Sequence, residues 1–151
     1  MIAFSGPCWR AVPAGRAHRS LDGTVRAGRY NRPGERALYV SGSREGVAAA
    51  MARYPDAPRT VIRLTVEAAQ VVDLRDAVTC SVLGIAAERL TEDWMAALDR
   101  GEEPASWTVA DRVREAGADG LIERSRHAPA AFHLVLFRWN EAGAPRVAVA
   151  G

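Results

Sequence analysis

A chain of 151 residues with 48% hydrophobic and 25% charged positions can bury a real core, and its mixture excludes a disordered or fibrous protein. Its 20 basic and 18 acidic residues leave a net charge of +2, which argues against nucleic acid as the main partner. No apolar run approaches the ~18 residues of a membrane span, and Met1-Ile2-Ala3-Phe4-Ser5 lacks the basic-then-apolar pattern of a secretory signal, so a cytoplasmic protein is expected.

The chain reads as one domain over residues 1–151, with no repeat, low-complexity tract or linker. Pro7 to Val12 is a short strand, with Trp9 and Arg10 on opposite faces. Pro13 to Arg36 is rich in glycine and arginine and has no periodicity; a long irregular segment of this kind in a compact domain is usually functional or disordered. Ala37 to Ser41 is β-like, and Ser43 then caps a helix to about Arg53, ended by Tyr54-Pro55. Thr60–Val66 and Val71–Leu74 read as two further strands. Helices are expected from Thr91 to Leu98 and from Thr108 to Gly117, with Leu121-Ile122 a brief apolar stretch between them and the next strand. Phe132–Phe137 is the strongest strand signal, with Leu134, Val135 and Leu136 expected in the core. Strands and helices mix without a βαβ rhythm, so the expected fold is α+β, a curved mixed sheet flanked by short helices.

Every basic residue is arginine. Codon bias accounts for this, and so does a demand for planar, two-pronged recognition of phosphate or carboxylate. Cys8 and Cys80 lack a C-x-x-C partner and are expected as reduced, buried thiols. His18, His127 and His133 have no metal-ligand spacing with them, so no metal is expected.

Dinucleotide, P-loop and nucleophile-elbow signatures are absent, and Ser125 near His127 lacks the positioned acid of a Ser–His hydrolase. The informative cluster is Arg29-Tyr30-Asn31 beside Gly28, followed by Tyr39 and Ser41. An arginine on a glycine-flanked loop can approach a diphosphate and pair with it bidentately. A tyrosine on the adjacent strand offers a face for stacking and a hydroxyl for a ribose. By itself the same cluster is more often a surface salt bridge and a packed ring.

The stretch Gly28-Arg29-Tyr30-Asn31-Arg32-Pro33-Gly34-Glu35-Arg36-Ala37-Leu38-Tyr39-Val40-Ser41 resembles the G-R-[WY]-N-x-x-G-x-x-[AV]-x-Y-x-S core of RES domains. Arg10 on the first strand, Ser125 after Asp119-Gly120-Leu121-Ile122, and the apolar strand Leu134-Val135-Leu136-Phe137 follow in the family's order. The resemblance spans about residues 7 to 140. One landmark departs: the glutamate of the helix after the Y-x-S strand falls, in register, on Ala50. A substitute carboxylate such as Glu45, an engineered disarming substitution, and a member without catalysis are the three explanations.

The resemblance implies a fold like that of ADP-ribosyltransferase toxins and an enzyme that cleaves the nicotinamide–ribose bond of NAD, with no metal. It implies a toxin whose antitoxin is a helix-turn-helix protein that blocks the NAD cleft. The implied acceptor of ADP-ribose is a host protein; water or phosphate (a glycohydrolase or phosphorylase) and a non-catalytic NAD-site module are the alternatives. On this resemblance Arg29, Tyr39, Ser125 and position 50 are the catalytic set, and Arg10, Arg29, Tyr30, Tyr39, Ser41 and Ser125 bind NAD. Arg29 would hold the diphosphate or the nicotinamide end, Tyr39 would stack on nicotinamide, and Tyr30 would line the same cleft. Ser125 would bond the amide or ribose, and Arg10 would complete the phosphate side.

Overall fold

The structure, a computed structural model, describes residues 1–150. Six strands form one mixed sheet: β1 (Ile2–Pro13), β2 (Leu38–Ser41), β3 (Arg59–Asp73), β4 (Gly120–Arg124), β5 (Phe132–Leu136) and β6 (Arg146–Val149). The helices are short: α1 (Arg44–Met51), α2 (Ala77–Val82), α3 (Trp94–Asp99) and α4 (Ala105–Glu115). This is the expected α+β architecture with a curved mixed sheet.

The sheet order is β1-β2-β5-β4-β3-β6, and β1 also pairs with β3, so five strands close on themselves. The closure is uneven. β1 runs antiparallel along β3 from Ile2↔Val71 to Pro13↔Arg59, whereas β1 and β2 share the single pair Trp9↔Ser41. β2–β5 and β5–β4 are antiparallel ladders, and β3–β4 is a parallel one reached through the crossover that carries α2, α3 and α4.

Strands in the middle of the sheet read as unbroken apolar runs because both of their faces are covered. Leu134 and Leu136 enter one core with Ile122, Val71, Leu64 and Trp139; Val135 enters a second with Leu121, Val72 and the α4 residues Val109, Ala110 and Val113. Each such side chain contributes ~1.5–3 kcal/mol by leaving water.

Several boundaries differ from expectation. The strands placed at Thr60–Val66 and Val71–Leu74 are one, β3, because β1 lies along one edge of the intervening Glu67–Gln70 stretch and β6 pairs with Glu67 on the other. Pairing overrides the weak strand propensity of Ala68 and Ala69. Asp93 rather than Thr91 caps α3, its carboxylate accepting from Ala96 N. α4 begins after Pro104, and Thr108 lies inside it, its hydroxyl donating to Ala105 O. Ser43 caps α1 as expected, accepting from Gly46 N.

Candidate functional site

A cavity of about 380 Å³ opens beside the one-pair contact of β1 and β2. Arg10 comes to it from β1, Tyr39 and Ser41 from β2, Ala50 from α1, Arg29 from the irregular loop, and Glu123 with Ser125 from β4 and its end. Trp9 borders it together with Arg10, although alternation along β1 placed the two on opposite faces.

Three of the side chains that border it carry a nitrogen that is itself buried and has no hydrogen bond within the chain: Trp9 Nε1, Arg10 Nε and Arg29 Nε, the last 3.5 Å from Glu123 Oε2. A buried donor left unpaired costs ~1–3 kcal/mol. The two guanidiniums are otherwise anchored: Arg10 Nη1 donates to Tyr39 O at 3.3 Å and Arg29 Nη2 to Leu90 O at 2.7 Å. Burial lowers the pKa of Arg10 from its ordinary value, against the pull of Asp22.

Among the described residues, the one carboxylate at the cavity is that of Glu123. Its side chain is 13% exposed, its Oε2 accepts the Tyr30 hydroxyl at 2.5 Å, and Arg29 Nε lies 3.5 Å away in an ion pair. Burial pushes Glu123 above the usual carboxylate range, and Arg29 and the Tyr30 hydrogen bond pull it back. His133, its cross-strand neighbour, stands 2.8 Å from Ser41 Oγ through Nδ1. Burial first, and the Arg29 charge second, hold His133 below its ordinary value, which keeps it neutral at pH 7. Ser125 Oγ is buried and accepts from Ala128 N at 3.2 Å, which leaves its own proton free to donate.

The family model described as the RES domain matches residues 7–151. The chain belongs to the RES-domain family. Among solved structures, a chain of the crystal structure of the M.tuberculosis MbcT-MbcA toxin-antitoxin complex matches with a TM-score of 0.59 at 15% identity. That likeness covers 99% of this chain and 86% of the other, and it is one of fold. No curated protein matches the sequence.

Much of the RES signature turns out to be scaffold. A Cβ on Gly28 would lie 2.5 Å from Asn31 Oδ1 and 2.6 Å from the Tyr39 hydroxyl, so only glycine fits. Asn31 is fully buried and saturated: Nδ2 donates to Arg26 O, Arg32 O and Glu35 O, and Oδ1 accepts from the Tyr39 hydroxyl. The same hydroxyl accepts from Tyr30 N, so it is committed to the loop and not available to a ribose, while the Tyr39 ring still borders the cavity. Trp107 Nε1 donates to Gly28 O, and the Arg32 fork grips Asp111 of α4 at 2.8 and 2.9 Å.

Tyr30 requires a correction. It does not line the cleft; it is fully buried in the α4-side core, and only its hydroxyl reaches forward, to Glu123. An aromatic ring between Arg29 and Asn31 has an apolar core to fill on the far side of the loop, and burial there outweighs exposure at a polar cavity. Arg10, Arg29, Tyr39, Ser41, Ala50 and Ser125 all border the one cavity. Glu45, one carboxylate considered as a substitute, is exposed in the first turn of α1 and does not. Glu123 had no signal in the sequence beyond its place in Gly120-Leu121-Ile122-Glu123-Arg124-Ser125, two residues before the family serine. Among the described residues, no group of three His, Cys, Asp or Glu side chains is placed to hold a metal ion.

Proposed function

We propose that this chain is the toxin of a bacterial toxin–antitoxin pair that binds NAD in the cleft, cleaves the nicotinamide–ribose bond and passes ADP-ribose to a host-protein side chain. The observation that carries the reading is the meeting of two arginines from separate elements, Arg10 and Arg29, with Tyr39, Ser41 and Ser125 around one cavity. Two guanidiniums at one cavity favour an anionic ligand rich in acceptors, and a dinucleotide's diphosphate is one. Arg10 and Arg29 then serve the diphosphate, and the Tyr39 ring is the wall against which nicotinamide stacks. Ser125 donates to the nicotinamide amide or its ribose. Membership of the RES family supports the assignment, as does the likeness in fold to a chain of a toxin–antitoxin complex.

The chemistry is glycosidic. Departure of nicotinamide leaves a cationic, oxocarbenium-like sugar, and oriented negative charge lowers that barrier. Ala50 is exposed at the rim, so a macromolecular acceptor can approach the α1 side of the cavity. The partner is a small helix-turn-helix antitoxin whose C-terminal part fills the same cleft.

Release of free nicotinamide when the purified chain is incubated with NAD is the direct test. Release is expected to be abolished by the cognate antitoxin, and mass spectrometry is expected to find ADP-ribose on host proteins. Free ADP-ribose alone reassigns the acceptor to water, and ADP-ribose 1″-phosphate reassigns it to phosphate. No release and no NAD binding overturn the reading.

A further inference from the structure

We propose that Glu123, from strand β4, supplies the carboxylate that helix α1 lacks at Ala50. This rests on the NAD-cleaving reading and names the group that does the electrostatic work in it.

Position 50 and Glu123 border the same cavity from different elements. Either can therefore deliver a carboxylate to one ligand. Among the described residues Glu123 is the one acidic residue on the cavity wall, and the exposed Glu45 does not border it. The carboxylate is also oriented. Both of its contacts, the Tyr30 hydroxyl at 2.5 Å and Arg29 Nε at 3.5 Å, fall on Oε2. Oε1 remains free to accept from a ligand. Tyr30 is fully buried and Asn31 is pinned by its four hydrogen bonds, so the loop that holds Oε2 is rigid. Such preorganisation is what makes a buried charge effective against a charge that develops only in the transition state.

In the step, the bond between ribose C1′ and the nicotinamide nitrogen breaks with its electron pair leaving on that nitrogen. The pyridinium charge is thereby neutralised and positive charge appears on C1′ and the ring oxygen. Glu123 Oε1 accepts a hydrogen bond from a ribose hydroxyl and faces that charge. The acceptor's lone pair then forms the new bond to C1′, and the acceptor gives up its proton to solvent. Glu123 stays ionised throughout.

The test compares the natural chain, Glu123→Gln, Ala50→Glu and the double variant, reading nicotinamide release and, by calorimetry, NAD affinity. Glu123→Gln is expected to lower turnover about 10²- to 10³-fold, with NAD affinity changed much less. Adding Ala50→Glu to Glu123→Gln is expected to restore a large part of the rate, because a carboxylate re-enters the cavity from α1. Rescue from a second element is something a purely structural Glu123 does not allow. Tyr30→Phe frees the carboxylate while keeping its charge, and is expected to lose less than Glu123→Gln.

A Glu123→Gln rate equal to that of an active natural chain overturns the proposal and leaves the NAD reading intact. A natural chain that binds NAD inertly and is switched on by Ala50→Glu alone also overturns it. A natural chain that neither binds nor cleaves NAD removes both. Should Glu123→Gln fail to fold by circular dichroism, Ala50→Glu in the natural background decides: little gain supports Glu123, and a gain of about 10² or more rejects it.

Discussion

The loop from Thr24 to Arg36 and helix α1 border one cavity, and they are built in opposite ways. The loop has almost no regular structure, yet it is tied at nearly every turn: Asn31 makes four hydrogen bonds, Trp107 holds Gly28, and the Arg32 fork clasps Asp111. Helix α1 is regular but light. Only Gly46 and Val47 are buried in it, and its single side-chain tie is the Ser43 cap. Irregular backbone is thus the stiffer of the two walls. The difference follows what each wall carries. Arg29 and, through Tyr30, Glu123 must keep their charges in place, which needs saturated hydrogen bonding; the alanines of α1 hold no charge and can yield to what enters.

The largest effect that breaks this contrast is expected from Asn31→Ala. Two amide hydrogens and one carbonyl oxygen lose their partners in a fully buried place, so at ~1 kcal/mol per hydrogen bond chemical denaturation should register about 3 kcal/mol of lost stability. Gly28→Ala follows, at about 2 kcal/mol, because its methyl carbon meets Asn31 and Tyr39 at 2.5 and 2.6 Å and the loop must shift. On the lighter wall, Ser43→Ala is expected to cost only ~1 kcal/mol, the loss of one helix cap. A Ser43→Ala penalty as large as that of Asn31→Ala would erase the distinction between the walls.

The smallest and most diagnostic effect is in pH. Burial raises Glu123 above 4.5, so the folded chain holds that proton more tightly than the unfolded chain does. The stability this group contributes is fully present below about pH 4.5 and is lost as pH rises through the raised folded value. The natural chain should therefore lose stability relative to Glu123→Gln across that window, read as a changing difference in melting temperature. Turnover should move the other way, rising as Glu123 ionises.

Local pattern made the main elements of this fold readable. Leu134-Val135-Leu136 declared a doubly covered strand, and Ser43 declared a helix start. Short elements dependent on partners were hidden. α2 is six residues of Ala, Val, Thr, Cys and Ser, formed where the Asp76 carboxylate accepts from Val78 N and Thr79 N. β6 exists because β3 offers it an edge. The site divides along the same line. Arg29, Tyr39 and Ser125 carried a pattern, whereas Glu123 carried none, and its carboxylate is held at the cavity by the hydroxyl of Tyr30, 93 residues earlier. Tyr30 shows the converse. Its neighbour Arg29 reaches the cleft, and it turns away because an apolar core lies behind the loop.

The lone Trp9↔Ser41 pair between β1 and β2 has a mechanical consequence. A barrel stitched along four seams by full ladders and along the fifth by one pair behaves like a split ring. What holds it closed there is packing more than pairing, since Cys8 of β1 and Val40 of β2 share the first core beside that seam. A wedge driven in beside Ser41 would spread the ring elastically, and the backbone amides of that seam should exchange with solvent well before those of β4 and β5.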